Sequence, residues 1–414
     1  MSGLHWRVRA RESGALGAPW KISRNSDRRR FAEIKLQAEA DTHDVHEARK
    51  LPLLRRRSDI TEMMIAGDLL LALTQTGVCV AFNSRTLKRV CYLNIAEDEI
   101  IRSLFYNKTN SSIITVSVFR HDHYSSLNCR STPIEAIQAG NPRLGIPVFQ
   151  SESLRYPGFI EFDEVNSKIL TYSANDCHYK VWELTKYTPL HTFCDSRIAE
   201  VKVSLGIMLF IYQHTKSNLP LKLVDINNGV ELKTLNHLIK RNRKIDFVEL
   251  FSDKLLIKQA GENLIIIDVC TGIATEVPQA DFPTPSAFIF LYENQLFLTF
   301  RDSQILAWNF KGQIVTRFED HTLFSSDFHS NLIYIPRAQD LIVSHCISEK
   351  STRGSINISS ILTGKVLGKI SCPDNECYSA RGIALDNVTS VCYCERSGTI
   401  YTGNSTGMVY AWST

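Results

Sequence analysis

The stretch "GSINISSILTGKVLGKIS" (residues 354–371) places two strand-like runs on either side of a Thr-Gly turn. The same design recurs in "PLKLVDINNGVELKTLN" (220–236), "NLIIIDVCTGIATEVP" (263–278) and "QILAWNFKGQIVTRFED" (304–320). Runs rich in Val, Ile, Leu and aromatic residues, bounded by Gly, Asn and Asp, are typical of β-hairpins. Glycine in the turn adopts a positive φ at no steric cost. The sequence therefore predicts a chain of repeated hairpins.

The hairpins recur with a regular spacing. The most recognisable strand of each unit begins at one of eight positions: Asp68, Ser111, Ser167, Gly206, Asp253, Asn294, Gln339 and Gly398. Five of the seven successive starts lie 39–47 residues apart, close to the length of one four-stranded propeller blade, about 40–45 residues. We therefore predict an all-β fold, a β-propeller of seven or eight four-stranded blades, and we count eight. Seven blades stay open because the unit at 111–137 is irregular.

Closure of the predicted blades follows from the cost of unpaired edges. An open array of sheets would leave strand edges and two apolar faces exposed, so the blades are expected to form a ring. The strand after each turn, such as "LKRVCYLN" (87–94) or "VELKTL" (230–235), is expected to open the next blade and to line the central channel. On this count the first blade, from about Ile60, lacks a strand, and residues from 1–58 either supply it or leave the blade three-stranded.

Residues 1–58 differ in texture from the rest of the chain. They hold 14 Lys and Arg residues against 7 Asp and Glu residues, whereas the whole chain has a formal charge of +4. A basic tail therefore precedes a mildly acidic body. Part of the tail, "RRRFAEIKLQAEADTHDVHEARK" (28–50), is rich in helix formers. We predict that 1–58 is a basic tail, disordered or partly helical, and that 59–414 forms the propeller.

Cysteine usage and hydropathy limit the compartment. The eleven cysteines are scattered, mostly within strand-like runs, as free thiols are in a reducing environment. No apolar run reaches the roughly 18 residues of a membrane span, and no secretory signal is recognisable. We expect a nuclear or cytoplasmic protein without membrane contact. The basic triplets Arg28–Arg30 and Arg55–Arg57 are candidate nuclear addresses, and the Arg-rich beginning leaves organellar import open.

Three tryptophans occupy matching places in the predicted strands: Trp182 in "KVWEL", Trp308 in "LAWNF" and Trp412 in "VYAWST". In these places the chain resembles a WD40-type propeller with degenerate repeats, since Glu, Asn and Ser replace the aspartate of the Trp-Asp pair. The resemblance implies that the three tryptophans are structural. The stretches at 149–184 and 284–300 also resemble an uncharacterised plant family of WD40-like proteins, which implies a plant source and no particular chemistry.

The sequence shows no catalytic set. A G-x-S-x-G elbow and a phosphate-binding G-x-x-x-x-G-K-[ST] loop are both missing. His121 and His123 in "RHDHYSS" are too few for a tetrahedral zinc site, and the same holds for "HDVH" (43–46). A further set has a zinc-like count but irregular spacing: Cys372, Cys377, Cys392 and Cys394. We predict no enzyme activity, no metal and no cofactor.

Two segments are candidates for partner binding. "KRNRK" contributes Lys240, Arg241, Arg243 and Lys244, which suit an acidic partner or nucleic acid but are also typical of a solvated loop. No aromatic residue is interleaved, so stacking on single-stranded nucleic acid is not supported. "STPIEAIQAGNPRLGIP" (131–147) interrupts the repeat, and oversized loops often carry function. We predict that Arg143 and Leu144, at its tip, contact a partner.

The resulting hypothesis is a non-catalytic scaffold for protein–protein interaction. One alternative is the substrate-receptor subunit of a ubiquitin ligase, although the Trp-Asp-x-Arg signature of one such class is missing after Trp182. Another is a nucleic-acid-associated nuclear protein that uses the basic tail and loop. An enzyme would need acids or histidines converging on the channel, and the strands expected to line it show no such repeated position.

Overall fold

The protein is an all-β chain of four-stranded antiparallel sheets. The computed structural model describes residues 31–149, 159–163, 166–173, 177–215, 217–291, 294–301, 304–318, 321, 332–336, 340–347, 354–373 and 378–414. In these residues there are eight sheets of four strands each. The prediction of an eight-bladed β-propeller is confirmed, and the seven-bladed alternative is wrong because the irregular unit at 111–137 forms a full sheet.

The chain divides into two compact units, which are described separately. The terminal unit comprises the described residues of 31–151 and 318–414, together with Gln304. Its strands, sheet by sheet, are β1 (Lys35–Asp41) with β32 (Met408–Ser413), β31 (Thr399–Asn404) and β30 (Val388–Cys394); β2 (Ile60–Ala66), β3 (Leu69–Thr74), β4 (Cys79–Asn83) and β5 (Arg89–Tyr92); β6 (Glu99–Asn107), β7 (Ser112–Phe119), β8 (Asn128–Pro133) and β9 (Ile146–Val148); and β26 (Ile333–Tyr334), β27 (Leu341–Ile347), β28 (Gly354–Ser360) and β29 (Val366–Ile370).

The central unit comprises the described residues of 152–301 and 305–317. Its strands are β10 (Phe159–Asp163), β11 (Lys168–Ser173), β12 (His178–Glu183) and β13 (Pro189–Cys194); β14 (Ile198–Ser204), β15 (Ile207–Tyr212), β16 (Asn218–Asp225) and β17 (Glu231–Leu238); β18 (Ile245–Phe251), β19 (Lys254–Gln259), β20 (Leu264–Asp268) and β21 (Ala274–Val277); and β22 (Ala287–Leu291), β23 (Leu296–Arg301), β24 (Gln304–Asn309) and β25 (Ile314–Phe318).

Helical structure is sparse in the described residues. Besides the helical residues Phe31 and Ala32, its elements are α1 (Ile134–Gln138), α2 (Ala380–Leu385) and four 3-10 turns at Glu47–Arg49, Pro52–Arg55, Arg120–Asp122 and Pro142–Leu144. No helix in these parts of the chain has the length and apolar character needed to cross a membrane.

The predicted assignment of strands to blades needs a correction. The strand after each turn, such as β5 or β17, pairs with the strand before the turn and is the fourth strand of the same sheet. The first strands lie side by side instead: β2 beside β30 in the terminal unit, and β14 beside β10 and β18 in the central unit. The segments "LKRVCYLN" and "VELKTL" are therefore outer strands, and the expectation that they line a channel is wrong.

Part of the predicted tail belongs to a sheet. Strand β1 pairs antiparallel with β32, with Ala38 opposite Ala411, so the first strand of the described residues completes the last sheet. Phe31 and Ile34, just before β1, are buried in the core of the terminal unit. The expectation of helix or disorder over 28–50 therefore fails at 35–41, where pairing with β32 outweighs the helix propensity of Gln, Ala and Glu. Residues 1–30, with Arg28–Arg30, lie outside the described residues.

The three tryptophans are buried on the third strands of their sheets. The indole Nε1 of each donates to a threonine Oγ1 on the second strand, in the pairs Trp182–Thr171 (2.9 Å), Trp308–Thr299 (2.8 Å) and Trp412–Thr402 (2.9 Å). In the sheet of β26–β29 a serine, Ser359, lies in the tryptophan position. Buried His321 bridges Ser359 (2.8 Å) and Ser344 (2.6 Å) there. Hydrogen bonds of this kind hold second and third strands together in both units.

Candidate functional site

The insertion predicted at 131–147 is an ordered part of the terminal unit. Helix α1 follows β8 directly, and its Ile134 and Ile137 are buried. These side chains pack in one apolar cluster with Leu69 and Leu71 of the neighbouring sheet, and Val90 of β5 packs against the same cluster. The helix therefore anchors the insertion to two adjacent sheets. Residues 141–146, which lead from the end of α1 into the first residue of β9, are called the tip below.

A buried arginine holds the tip from below. Arg130 of β8 is 8% exposed, and its Nη1 donates to Pro142 O (3.2 Å) while its Nη2 donates to Leu93 O (2.6 Å). Burial lowers the pKa of Arg130, and the Glu99 carboxylate, 3.9 Å away, opposes that shift. Hydrogen bonds from a charged donor are stronger than neutral ones, so Arg130 fixes the backbone of the tip.

Glycine is required where the tip crosses β8. A Cβ on Gly145 would lie 2.3 Å from Thr132 Oγ1 and 3.1 Å from Arg130 Cδ, which is too close for any side chain. Thr132 lies opposite Ile113, in the register that Trp412 has opposite Ile400. An indole at position 132 would occupy the space of the tip. The small side chain of Thr132 therefore leaves room for Gly145 and the tip.

The tip presents apolar side chains to solvent. Leu144 is 62% exposed and Ile146 is 58% exposed, and Arg143 and Pro147 are exposed beside them. Adjacent exposed aliphatic side chains on an anchored backbone are typical of interaction sites. The structure therefore places Arg143 and Leu144 on the surface, as predicted. Sequence reasoning missed Ile146, although its alternation with buried Val148 in β9 is a signal for an outward side chain, and it missed Arg130.

The basic loop lies in the central unit, between β17 and β18. Its four cations, Lys240, Arg241, Arg243 and Lys244, are all exposed. Glu262 pairs with Lys240 (2.5 Å) and approaches Arg243 (3.7 Å), which partly offsets the positive charge. Gln259 fixes the loop backbone, because its side chain accepts from Lys240 N and donates to Lys240 O and Arg243 O. The loop is ordered, and two of its four cations lie within 4 Å of the Glu262 carboxylate.

The histidine and cysteine candidates of the sequence do not assemble. His121 lies in a 3-10 turn and pairs with Asp98 (2.5 Å), which lowers the pKa of that carboxyl. Cys392 and Cys394 are buried in β30, and Cys377 lies outside the described residues. The one cluster with ligand-like spacing in the described residues is Asp253, Asp268 and Cys270. There the ammonium of Lys254 already contacts both carboxylates, at 2.7 and 2.8 Å.

Charged side chains also occur on the first strands of the central unit. Lys202 of β14 contacts Glu249 of β18 (2.6 Å) and Glu200 (3.3 Å). Burial raises the pKa of Glu249, and Lys202 opposes this. Burial lowers the pKa of Lys202, but the two carboxylates outweigh it and leave that pKa raised. The group is an internally paired charge cluster.

Comparison with known proteins places the chain in a family. Residues 19–412 match the model of a domain of unknown function, DUF7899. The chain belongs to the DUF7899 family. The match extends from the tail through the last strand, so β1 and the tip both lie within the DUF7899 domain. No curated protein matches the chain.

Two solved structures are similar to this DUF7899 chain. The crystal structure of the computationally designed Ika8 protein has a TM-score of 0.54 and 15% identity, over 87% of this chain and 97% of that one. BamB from Moraxella catarrhalis has a TM-score of 0.46 and 13% identity, over 92% of this chain and 98% of that one. At such identities the likeness to Ika8 shows the fold alone. The WD40 resemblance and the plant source stay predictions.

Proposed function

We propose that the protein is a non-catalytic scaffold for protein–protein interaction and that the tip is part of its contact surface. The observation that carries the proposal is the exposure of Leu144 and Ile146 on a backbone held by Arg130 and α1. A surface that is already ordered loses little conformational entropy on binding, so its apolar contacts contribute more to affinity. Arg143 beside them suits the polar rim of an interface.

The absence of catalysis is part of the same proposal. It draws support from the first strands of the central unit, where the buried carboxylate Glu249 is paired with Lys202. It also draws support from the Asp253–Asp268 cluster, where Lys254 lies against both carboxylates. In both sets the carboxylates are paired with a lysine of the same set. The nucleic-acid alternative is weakened by Glu262, which offsets part of the basic loop.

The test compares proteins captured by three purified full-length forms. The first is the natural chain, the second carries Leu144→Asp with Ile146→Asp, and the third carries Ile273→Asp with Leu362→Asp. The control residues are 68% and 48% exposed, which is close to the exposure of the tip residues. We expect the tip variant to lose at least about tenfold of one or more specifically captured proteins, equivalent to about 1.4 kcal/mol. The control variant should retain them. Equal capture by all three forms would refute the role of the tip.

A further inference from the structure

Strand β17 is an unusual outer strand. It has eight residues, Glu231–Leu238, and is the longest fourth strand in the described residues. The other fourth strands are shorter: β1 has seven residues with a register shift, β25 and β29 have five, and β5 and β21 have four. Strand β13 begins with proline, and β9 contains one. Long regular edge strands are templates for pairing with another chain, and proteins normally protect them. Strand β17 lacks proline, glycine and any register shift beyond its first residues.

The backbone of β17 leaves alternate residues facing outward. Ile239 N donates to Ser217 O, so that pair is hydrogen-bonded, and the pairing then alternates back along the strands. By this alternation Leu219 and His237 form a hydrogen-bonded pair, and so do Leu221 and Leu235. The N–H and C=O groups of Thr234, Asn236 and Leu238 consequently point away from β16, towards the open edge. They form a ladder that an added strand can use.

The side chains of β17 leave this edge accessible. The exposed face carries Leu232 (52% exposed), Thr234, Asn236 and Leu238 (77% exposed). Lysine commonly guards such edges, but Lys233 turns to the other side and donates to Val269 O of the next sheet. The edge therefore combines outward hydrogen-bonding groups with two exposed leucines.

Charge distinguishes the two ends of this edge. Strand β17 leads through Ile239 directly into the basic loop, whose four cations are partly offset by the carboxylate of Glu262. At a rise of about 3.3 Å per residue, a strand laid along β17 and continuing past Leu238 reaches this loop within a few residues. In an antiparallel arrangement, the end that reaches the loop is the amino-terminal end of the added strand. Acidic residues at that end complement the loop.

We propose that β17 binds an extended acidic segment of a partner protein by antiparallel strand addition. The acidic residues of the segment lie at its amino-terminal end, against the basic loop, and alternating aliphatic residues follow along Leu238 and Leu232. Main-chain hydrogen bonds supply affinity, and the charge and side-chain alternation supply register. The site lies in the central unit and needs nothing from the tip.

The probe is a fluorescent peptide of four glutamates followed by about eight alternating valines and threonines, titrated with the full-length protein by anisotropy. Thr234→Pro removes an N–H that points to the open edge. A sheet tolerates proline at such an edge position. Thr234→Ala keeps that N–H. Thr192→Pro places the same change at the equivalent position of β13. We expect Thr234→Pro to weaken binding at least tenfold and both control variants to change it less than threefold.

Two further arms test orientation and charge. Moving the glutamates to the carboxyl end of the probe should weaken binding, and so should Arg241→Glu with Lys244→Glu. Absence of binding to the natural chain, equal binding by Thr234→Pro, or an equal loss in Thr192→Pro would overturn the proposal. If Thr234→Pro fails to fold, hydrogen exchange of the natural chain decides, because the probe must protect the amides of Thr234, Asn236 and Leu238. The Leu144→Asp, Ile146→Asp variant should bind the probe normally, so this site and the tip stand or fall separately.

Discussion

At the residue scale, the recurring element is an indole N–H that donates to a threonine on the next strand. Thr299→Val removes the acceptor of Trp308 with almost no change in volume and leaves a buried N–H unsatisfied. We expect a loss of about 1–3 kcal/mol, visible as a lower thermal midpoint. Thr192→Val, at an exposed position, should leave the midpoint nearly unchanged. Equal midpoints for both variants would show that the bond contributes nothing.

Buried histidines make stability depend on pH. Burial lowers the pKa of His321 to about 4, against about 6.5 in an unfolded chain. The unfolded chain therefore binds more protons between these values, so this stability is fully present above pH 6.5 and is lost as pH falls towards 4. His321 should lower the free energy of unfolding by about 2 kcal/mol as the pH falls from 7.5 to 5.

The pH effect is measured by thermal unfolding across that range. His321→Asn should flatten the dependence of the midpoint on pH, whereas His214→Asn, at an exposed position, should not. His345 has the same burial and a pKa of about 4, so part of the natural slope remains in the His321 variant. An unchanged slope in His321→Asn would contradict its neutral, buried state.

The charge cluster on the first strands gives a third residue-scale prediction. Glu249→Gln leaves the ammonium of Lys202, whose side chain is 21% exposed, with the exposed Glu200 as its remaining carboxylate partner, and we expect a loss of about 3 kcal/mol. Glu200→Gln should cost less than about 1 kcal/mol because Glu200 is exposed. Urea unfolding of the two variants separates the cases. A larger loss of unfolding free energy in Glu200→Gln than in Glu249→Gln would contradict this prediction.

At the element scale, β1 stabilises the last sheet of the chain. A chain that starts at residue 31 keeps Phe31, Ile34 and β1. A chain that starts at residue 59 lacks them, and the edge of β32 is then unpaired. We expect the chain from residue 31 to retain its thermal midpoint and the chain from residue 59 to unfold at a much lower temperature or to aggregate. Similar midpoints for both would show that β1 is dispensable.

The hairpins were predictable from the sequence, but the role of β1 was not. Alternation in "PLKLVDINNGVELKTLN" (220–236) and the glycine turn identify β16 and β17 without tertiary information. "KLQAEAD" (35–41) has no such pattern, because its strand conformation depends on β32, over 360 residues away. The tip was also only partly predictable. Its exposure follows from the prolines and glycines of the segment, but nothing in the sequence marks Arg130 as the residue that anchors it. Its burial depends on Leu93 and Pro142, which only the fold brings together.

The tip is rigid because of Arg130, and this is measurable on the element itself. Arg130→Met keeps much of the apolar stem but removes both hydrogen bonds to backbone carbonyls. We expect faster hydrogen exchange in residues 141–147 while exchange in β6 and β7 stays slow. Uniformly faster exchange would indicate global destabilisation, and unchanged exchange would show that Arg130 does not hold the tip.

At the scale of the whole molecule, the repeat indicated eight blades and left seven open, and it did not indicate the assignment of strands to blades. A fourth strand can have short connections on both sides, as β5 has to β4 and to β6, so spacing alone does not reveal which neighbour it pairs with. Hydrogen-bond register decides this, as in the pairing of β5 with β4. This assignment determines how the last sheet is completed. Its three C-terminal strands, β30 to β32, lack a fourth strand, and β1 takes that place beside β32.

The most direct test of this account is a disulfide between the first and last strands. Ala38 and Ala411 lie opposite each other, so cysteines at both positions should form an intrachain disulfide under mild oxidation, seen by mass spectrometry of the linked peptides. Cysteines at Ala40 and Ala411, two residues out of register, should link far less. Equal linkage of both pairs, no linkage, or a disulfide that joins two chains would contradict the structure in which β1 completes the last sheet of its own chain.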